Sequence, residues 1–259
     1  MYLLKSQTNI NWQKLMEEFY RREMRTIKDV FTIKNQTDSS ADLFIYGDII
    51  NNTGWKWDDS DVMPDDVKNI LGQLDDKSNL NIYVNSGGGS VFAGLAIYNM
   101  LKRNKAQKTV YVDGVAASIA SVIALAGDRV VVPSNAFLMV HKPWTVSRGN
   151  ANVLRKMAED LDNLEAGIMN VYKENLKEGI EIEVIQQLVD AETWLSGEEA
   201  EKYFNIEVVE AKEVAACSSD YFDKYQKTPN KIVAKAPSIS KKDNNEQLKI
   251  QNALDLLEL

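Results

Sequence analysis

The chain has 259 residues, 44% of them hydrophobic and 26% charged, which is the balance of a globular protein with one sizeable core. A net charge of −8 and a pI near 4.9 exclude nucleic acid as the main partner, because phosphate binding needs clustered Lys and Arg. One cysteine, Cys217, excludes an intrachain disulfide, and one histidine means that any imidazole chemistry must use His141.

No run of about 18 apolar residues is present, so no membrane partner is expected. The opening "MYLLKSQTNINW" has a four-residue apolar start and lacks a signal-peptide core. Together with the single cysteine, this predicts a reducing, cytoplasmic setting.

Residues 1–40 read as an N-terminal helical extension. Trp12, Leu15, Met16 and Phe19 fall at helical spacing after a possible Asn11 cap, and the polar break "KNQTDSSAD" follows. Residues 41–210 alternate short β-rich runs with helical ones. "DLFIYGDI", "NIYVNS", "KTVYVD", "DRVVVP" and "AFLMVH" read as strands. "MPDDVKNILGQL", "SVFAGLAIYNMLKRN" and "SIASVIALAG" read as helices. The alternation predicts an α/β fold built of βαβ units with a largely parallel sheet.

From Asn150 to about Lys177, Leu154, Met157, Leu161, Leu164, Ile168 and Val171 recur at steps of three and four. That is a narrow heptad seam on a helix about 40 Å long, more than one face of a small domain covers. The spacing fits either packing on its own core or a contact between subunits. Residues 211–259 form a polar tail that reads as linker, with a possible short terminal helix using Leu248, Ile250, Leu254 and Leu257.

Four stretches carry potential chemistry. "VNSGGGS", residues 84–90, ends a β-run and opens a helix. It lacks the spacing of a nucleotide-binding loop, and it fits either a tight turn or a strip of backbone N–H groups facing a developing oxyanion. "DGVAASIASVIALAG", residues 113–127, sets Ser118 where a strand turns into a buried helix. There serine is either an N-cap or a nucleophile. "AFLMVHKPW" puts His141 at a strand end, where sites gather in parallel sheets. A hydroxyl becomes a good nucleophile only when a base within hydrogen-bond reach takes its proton, so Ser118 and His141 form a candidate pair. An acid to orient the imidazole is offered by Asp190 or Glu192 in "LVDAETWLSGEEA", ahead of a helix starting near Ser196. A neighbouring carboxylate would raise the histidine above its ordinary value of about 6.5. Asp58, Asp59 and Asp61 read as a solvated loop before a helix opened by Pro64, and no metal is expected.

The blocks "INIYVNSGGGSVFAGLAIYNML", "GVAASIASVIALAG", "AFLMVHKPW" and "ETWLSGEEAEKYFNIEVV" resemble, in order, the Clp proteolytic subunit family, ClpP. They are most similar to its phage and prophage members that act in head maturation. The resemblance covers about residues 41–210. It implies the ClpP (crotonase-type) fold with a long protruding helix and a serine endopeptidase acting on protein or peptide. It makes Ser118 the nucleophile and His141 the base, with the N–H groups of Gly89 and Ile119 as oxyanion donors and no metal or organic cofactor. Glu192 takes the acid position, where the cellular enzymes usually carry aspartate, and Asp190 stays the alternative. The family commonly has proline where Gly87 stands, which predicts a more mobile loop. It also implies homo-oligomeric rings, with the long helix between them. Its ATPase-docking pockets are not traceable in this sequence, so an AAA+ partner stays open. Two other readings compete: a crotonase-like acyl-CoA hydratase or isomerase, which has no need of Ser118 with His141, and a non-catalytic capsid-assembly scaffold.

Overall fold

The computed structural model describes residues 33–53, 56, 58, 60–211, 217 and 219–229. The helices expected in 1–40 and at the C-terminus lie outside the described residues. The elements in chain order are β1 (Ile33–Lys34), β2 (Ser40–Tyr46), α1 (Pro64–Gln73), β3 (Asn79–Ser86), α2 (Val91–Arg103), β4 (Gln107–Ala117) and α3 (Ile119–Ala124). There follow β5 (Arg129–Pro133), β6 (Phe137–Val140), α4 (Ala151–Glu174), α5 (Ile182–Asp190), β7 (Thr193–Ser196), α6 (Gly197–Ala200) and β8 (Glu207–Val209), then a 3-10 turn at Phe222–Lys224.

The fold is mixed α/β with a mostly parallel sheet, as the alternation predicts. Strand order is β1-β2-β3-β4-β5-β8, with β6 off that path on β4. Pairings β2/β3, β3/β4, β4/β5, β4/β6 and β5/β8 are parallel; β1/β2 and β6/β7 are antiparallel. The 11-residue β4 is the pivot. Its first part, Thr109–Tyr111, pairs with β5, and its end, Val115–Ala117, pairs with β6.

Local sequence explains the elements. Leu80, Ile82 and Val84 of β3 and Val110 and Val112 of β4 alternate into the core, fully buried. Pro64 opens α1, and the Asp66 carboxylate accepts from the Met63 N–H at 2.9 Å, the expected helix start. Asn150 caps α4, accepting from Asn152 and Val153 N–H at 3.1 and 3.2 Å. The short α3 is buried at all six positions, each large aliphatic contributing about 2 kcal/mol. Gly94 of α2 lets α3 come close: a Cβ there would lie 2.1 Å from Ile119 Cγ1. A hydrogen bond of 2.8 Å between Ser121 and Tyr172 hydroxyls ties α3 to α4 inside the core.

Helix α4 divides in two. Ile168, Met169, Val171 and Tyr172 of its second half are buried, whereas Val153 and Leu154 of its first half are each 46% exposed. Only the end of the heptad seam therefore meets its own core. The rest projects.

Candidate active site

Ser118 follows the last residue of β4, and its N–H donates to Met139 O at 2.9 Å, which carries the β4/β6 pairing one residue further. His141 follows the last residue of β6. Two adjacent parallel strands thus deliver both residues at their C-terminal ends, and Nε2 of His141 lies 2.7 Å from Oγ of Ser118. Ser118 occupies the N-cap position of α3, yet its side chain makes no cap bond. Its backbone sits at φ 54, ψ −126, a strained conformation for a residue with a side chain. That sharp turn from strand to helix aims Oγ at the imidazole and not at the helix N-terminus.

The glycine strip lies alongside. The Ile49 N–H donates to Gly88 O and the Ser90 N–H to Ile49 O, both at 2.7 Å. A parallel bridge of this kind leaves the polar groups of the intervening residue, Gly89, on its opposite edge. Gly89 lines a cleft of about 750 Å³ shared with Ser118 and His141. Ile119 is the first residue of α3, where an N–H has no acceptor within the helix. Gly88, at φ 102, passes so near the serine that a Cβ would lie 2.8 Å from that of Ser118. Exposed Phe92, Trp144 and Val146, with Met157, Leu161 and Leu164 of α4, form the apolar remainder of the cleft.

The two candidate acids sit differently. Asp190 ends α5 and is engaged at the surface by Lys142 at 2.9 Å and Gln186 at 3.0 Å. The Lys142 ammonium, then Gln186, hold its carboxyl below the usual range. Glu192, at φ 48, directly precedes β7. Since Val140 pairs with Thr193 in the antiparallel β6/β7 ladder, the next pair in register is His141 with Glu192. Glu192 Oε1 nevertheless accepts from the Lys227 N–H at 2.7 Å. Among the described residues no carboxylate hydrogen-bonds the His141 ring.

Burial therefore governs the histidine. His141 is 8% exposed, and desolvation pushes its pKa down to about 4. The sequence led us to expect a shift upward; the carboxylate that would cause it is bound elsewhere. The direction sets a stability test. Between pH 6.5 and 4 the unfolded chain takes up a proton that the folded chain refuses, so this contribution is complete above 6.5 and declines as the pH falls toward 4. Urea unfolding at pH 7 and pH 5 should differ by about 2 kcal/mol from this group. Asp48, which burial raises to about 6, gains stability as the pH falls over the same range, so the test is the comparison with His141→Gln. The loss from pH 7 to pH 5 should be smaller there by that amount, and equal losses would assign it to other groups.

The polar tail also reaches the site, which its composition did not lead us to expect. Tyr221, Lys224 and Tyr225 line the same cleft. The Tyr225 hydroxyl donates to Gly87 O at 2.6 Å, and its ring meets His141 edge-on at 5.0 Å. Three aromatic residues, Tyr221, Phe222 and Tyr225, were the available signal: they pack with Cys217, Met139 and Trp194 as a small second core. Cys217 itself is buried, which drives its thiol up to about 12 and makes it inert.

Fold and site together define a hydrolase of the α/β type with a serine–histidine pair at the ends of parallel strands. Known proteins agree. A profile of the Clp protease family matches residues 57–212. The ATP-dependent Clp protease proteolytic subunits of Pleurastrum terricola and Bacteroides fragilis are each 29% identical to the chain. The first match takes in 55% of this chain and 72% of that protein, the second 54% and 67%. A solved structure, a point mutant of ClpP1 from Listeria monocytogenes, is 26% identical with a TM-score of 0.53, over 66% of this chain and 92% of that one. The chain belongs to the Clp protease family, a family of serine peptidases.

Proposed function

We propose that the chain cleaves protein substrates with Ser118 as nucleophile, His141 as general base and Glu192 as the orienting acid. The observation that carries this reading is the 2.7 Å contact between Ser118 Oγ and Nε2 of the chain's single histidine. His141 takes the hydroxyl proton as Oγ attacks the peptide carbonyl. The N–H groups of Gly89 and Ile119 receive the negative charge that develops on the carbonyl oxygen. His141 then returns the proton to the leaving amine, and the bond between carbonyl carbon and nitrogen breaks. A water molecule, deprotonated by the same imidazole, attacks the acyl-enzyme; the proton passes back to Oγ and the carboxylic product leaves. A crotonase-like hydratase would leave the serine–histidine contact without a purpose.

The same reading makes the chain a homo-oligomer. Helix α4 presents Val153 and Leu154 outside its own core, and the relatives' family supports ring assembly. No helix among the described residues is long and apolar enough to cross a membrane, consistent with work in the cytoplasm. The setting we assign is processing of scaffold or capsid protein in an assembling phage or prophage head; the likeness of the sequence blocks supports it.

A fluorophosphonate probe tests the core of the reading. It should label one residue, Ser118, and His141→Ala should suppress the labelling at least a hundredfold. Labelling elsewhere, or none under conditions that release the cleft, would remove the serine mechanism.

A further inference from the structure

We propose that residues 219–229 are an intramolecular strap that covers one wall of the peptide cleft and withholds the Glu192 carboxylate from His141 until it lifts. The inference rests on the catalytic assignment above and adds a regulatory segment to it.

The strap is fastened at both ends and over the site. At its start, Ser219 Oγ donates to Asp48 Oδ1 at 2.5 Å, and the Asp220 N–H to Oδ2 at 3.3 Å. Asp48 lies just beyond β2. At the other end, the Lys227 N–H donates to Glu192 Oε1 at 2.7 Å, and the Lys227 ammonium bonds Ala191 O. Between these anchors Tyr225, 7% exposed, lies across the strip and the imidazole. Thr228 closes the turn, donating to Phe222 O at 2.7 Å.

Three consequences are incompatible with turnover. First, Gly87 O, a backbone acceptor that an extended peptide would need on this strip, is taken by the Tyr225 hydroxyl. Second, the ring of Tyr225 stands beside the Ser118–His141 pair, where a scissile carbonyl must approach. Third, the carboxylate that the β6/β7 register sets opposite His141 is held by the backbone of the strap. The strip is also shaped to receive the strap: a Cβ on Gly87 would lie 2.0 Å from Ser219 Oγ. A proline or alanine there would expel it. The strap pairs with no strand, so its release breaks no hydrogen bond of the sheet and uncovers the small apolar cluster of Met139, Trp194 and Phe222.

The single histidine makes the test direct. Diethyl pyrocarbonate modifies neutral imidazole, and at pH 7 the His141 rate reports access and not protonation. The full chain is compared with Tyr225→Ala and with Tyr225→Ala/Lys227→Pro, the latter lacking the N–H that holds Glu192. Carbethoxylation of the His141 peptide, read by mass spectrometry, should accelerate at least tenfold, and fluorophosphonate labelling of Ser118 should rise with it. Equal His141 rates in all three chains would overturn the strap. Faster His141 modification with slower Ser118 labelling would make the segment part of the machinery and overturn it as well. Faster His141 modification with no Ser118 labelling in any chain would uphold the strap and remove the serine nucleophile. Should the double variant lose its circular dichroism, Lys227→Pro alone is read by the same two rates.

Discussion

Ser118→Ala should lower peptide hydrolysis by on the order of 10⁴-fold or more while leaving fold and assembly intact. The serine is not a helix cap, so the usual cost of removing one does not arise. What disappears is the hydrogen bond to His141, worth about 1 kcal/mol to stability, and a polar contact with the Tyr225 hydroxyl. Alanine is no worse suited than serine to the φ of 54, because both carry one Cβ. Hydrolysis of a fluorogenic peptide, with light scattering on the same sample, measures both quantities. Retained cleavage by a correctly assembled variant would show that another group attacks the carbonyl.

Glu192→Gln should lower turnover about a hundredfold, with KM little changed, because a carboxylate that holds the imidazole and stabilises its cation acts in the transition state. Asp190→Asn should be mild. Its carboxylate is committed to Lys142 and Gln186 on the surface, where an ion pair in water contributes little. The comparison is cleanest in a chain also carrying Tyr225→Ala/Lys227→Pro, where Glu192 no longer has the Lys227 N–H as a partner. A greater loss from Asp190→Asn would move the acid two residues upstream and leave Ser118 and His141 in place.

The βαβ core was legible because β3 and β4 alternate buried with half-exposed residues while α1 and α2 bury one face, so apolar residues of distinct period mark them. β7 was harder to see. Thr193–Ser196 is four residues long, antiparallel to β6, and recognisable only once β6 is in place. The Ser118–His141 pair was legible from two strand ends. Their contact was not, because the β4/β6 pairing that joins them spans 23 residues and depends on β4 splitting its length between two partners. Least legible was the tail. "SSDYFDKYQKTP" has the composition of a linker, and only three aromatics give it a reason to settle. The settled tail sets Tyr225 against the imidazole and binds the Glu192 carboxylate, which is why the sequence pointed the histidine's pKa the wrong way.

Left-handed backbone at residues with side chains occurs at three described positions, Asn35, Ser118 and Glu192, and two of them are at the site. Asparagine tolerates this region; serine and glutamate do so at a cost of about 1 kcal/mol or more each. Glycine would relax both turns and let the chain fold more securely. Random mutation under selection for folding alone should therefore drift these two positions toward glycine, and on the roles proposed above each such gain would cost activity. On that reading, two of the least comfortable described residues are held where they are by their use.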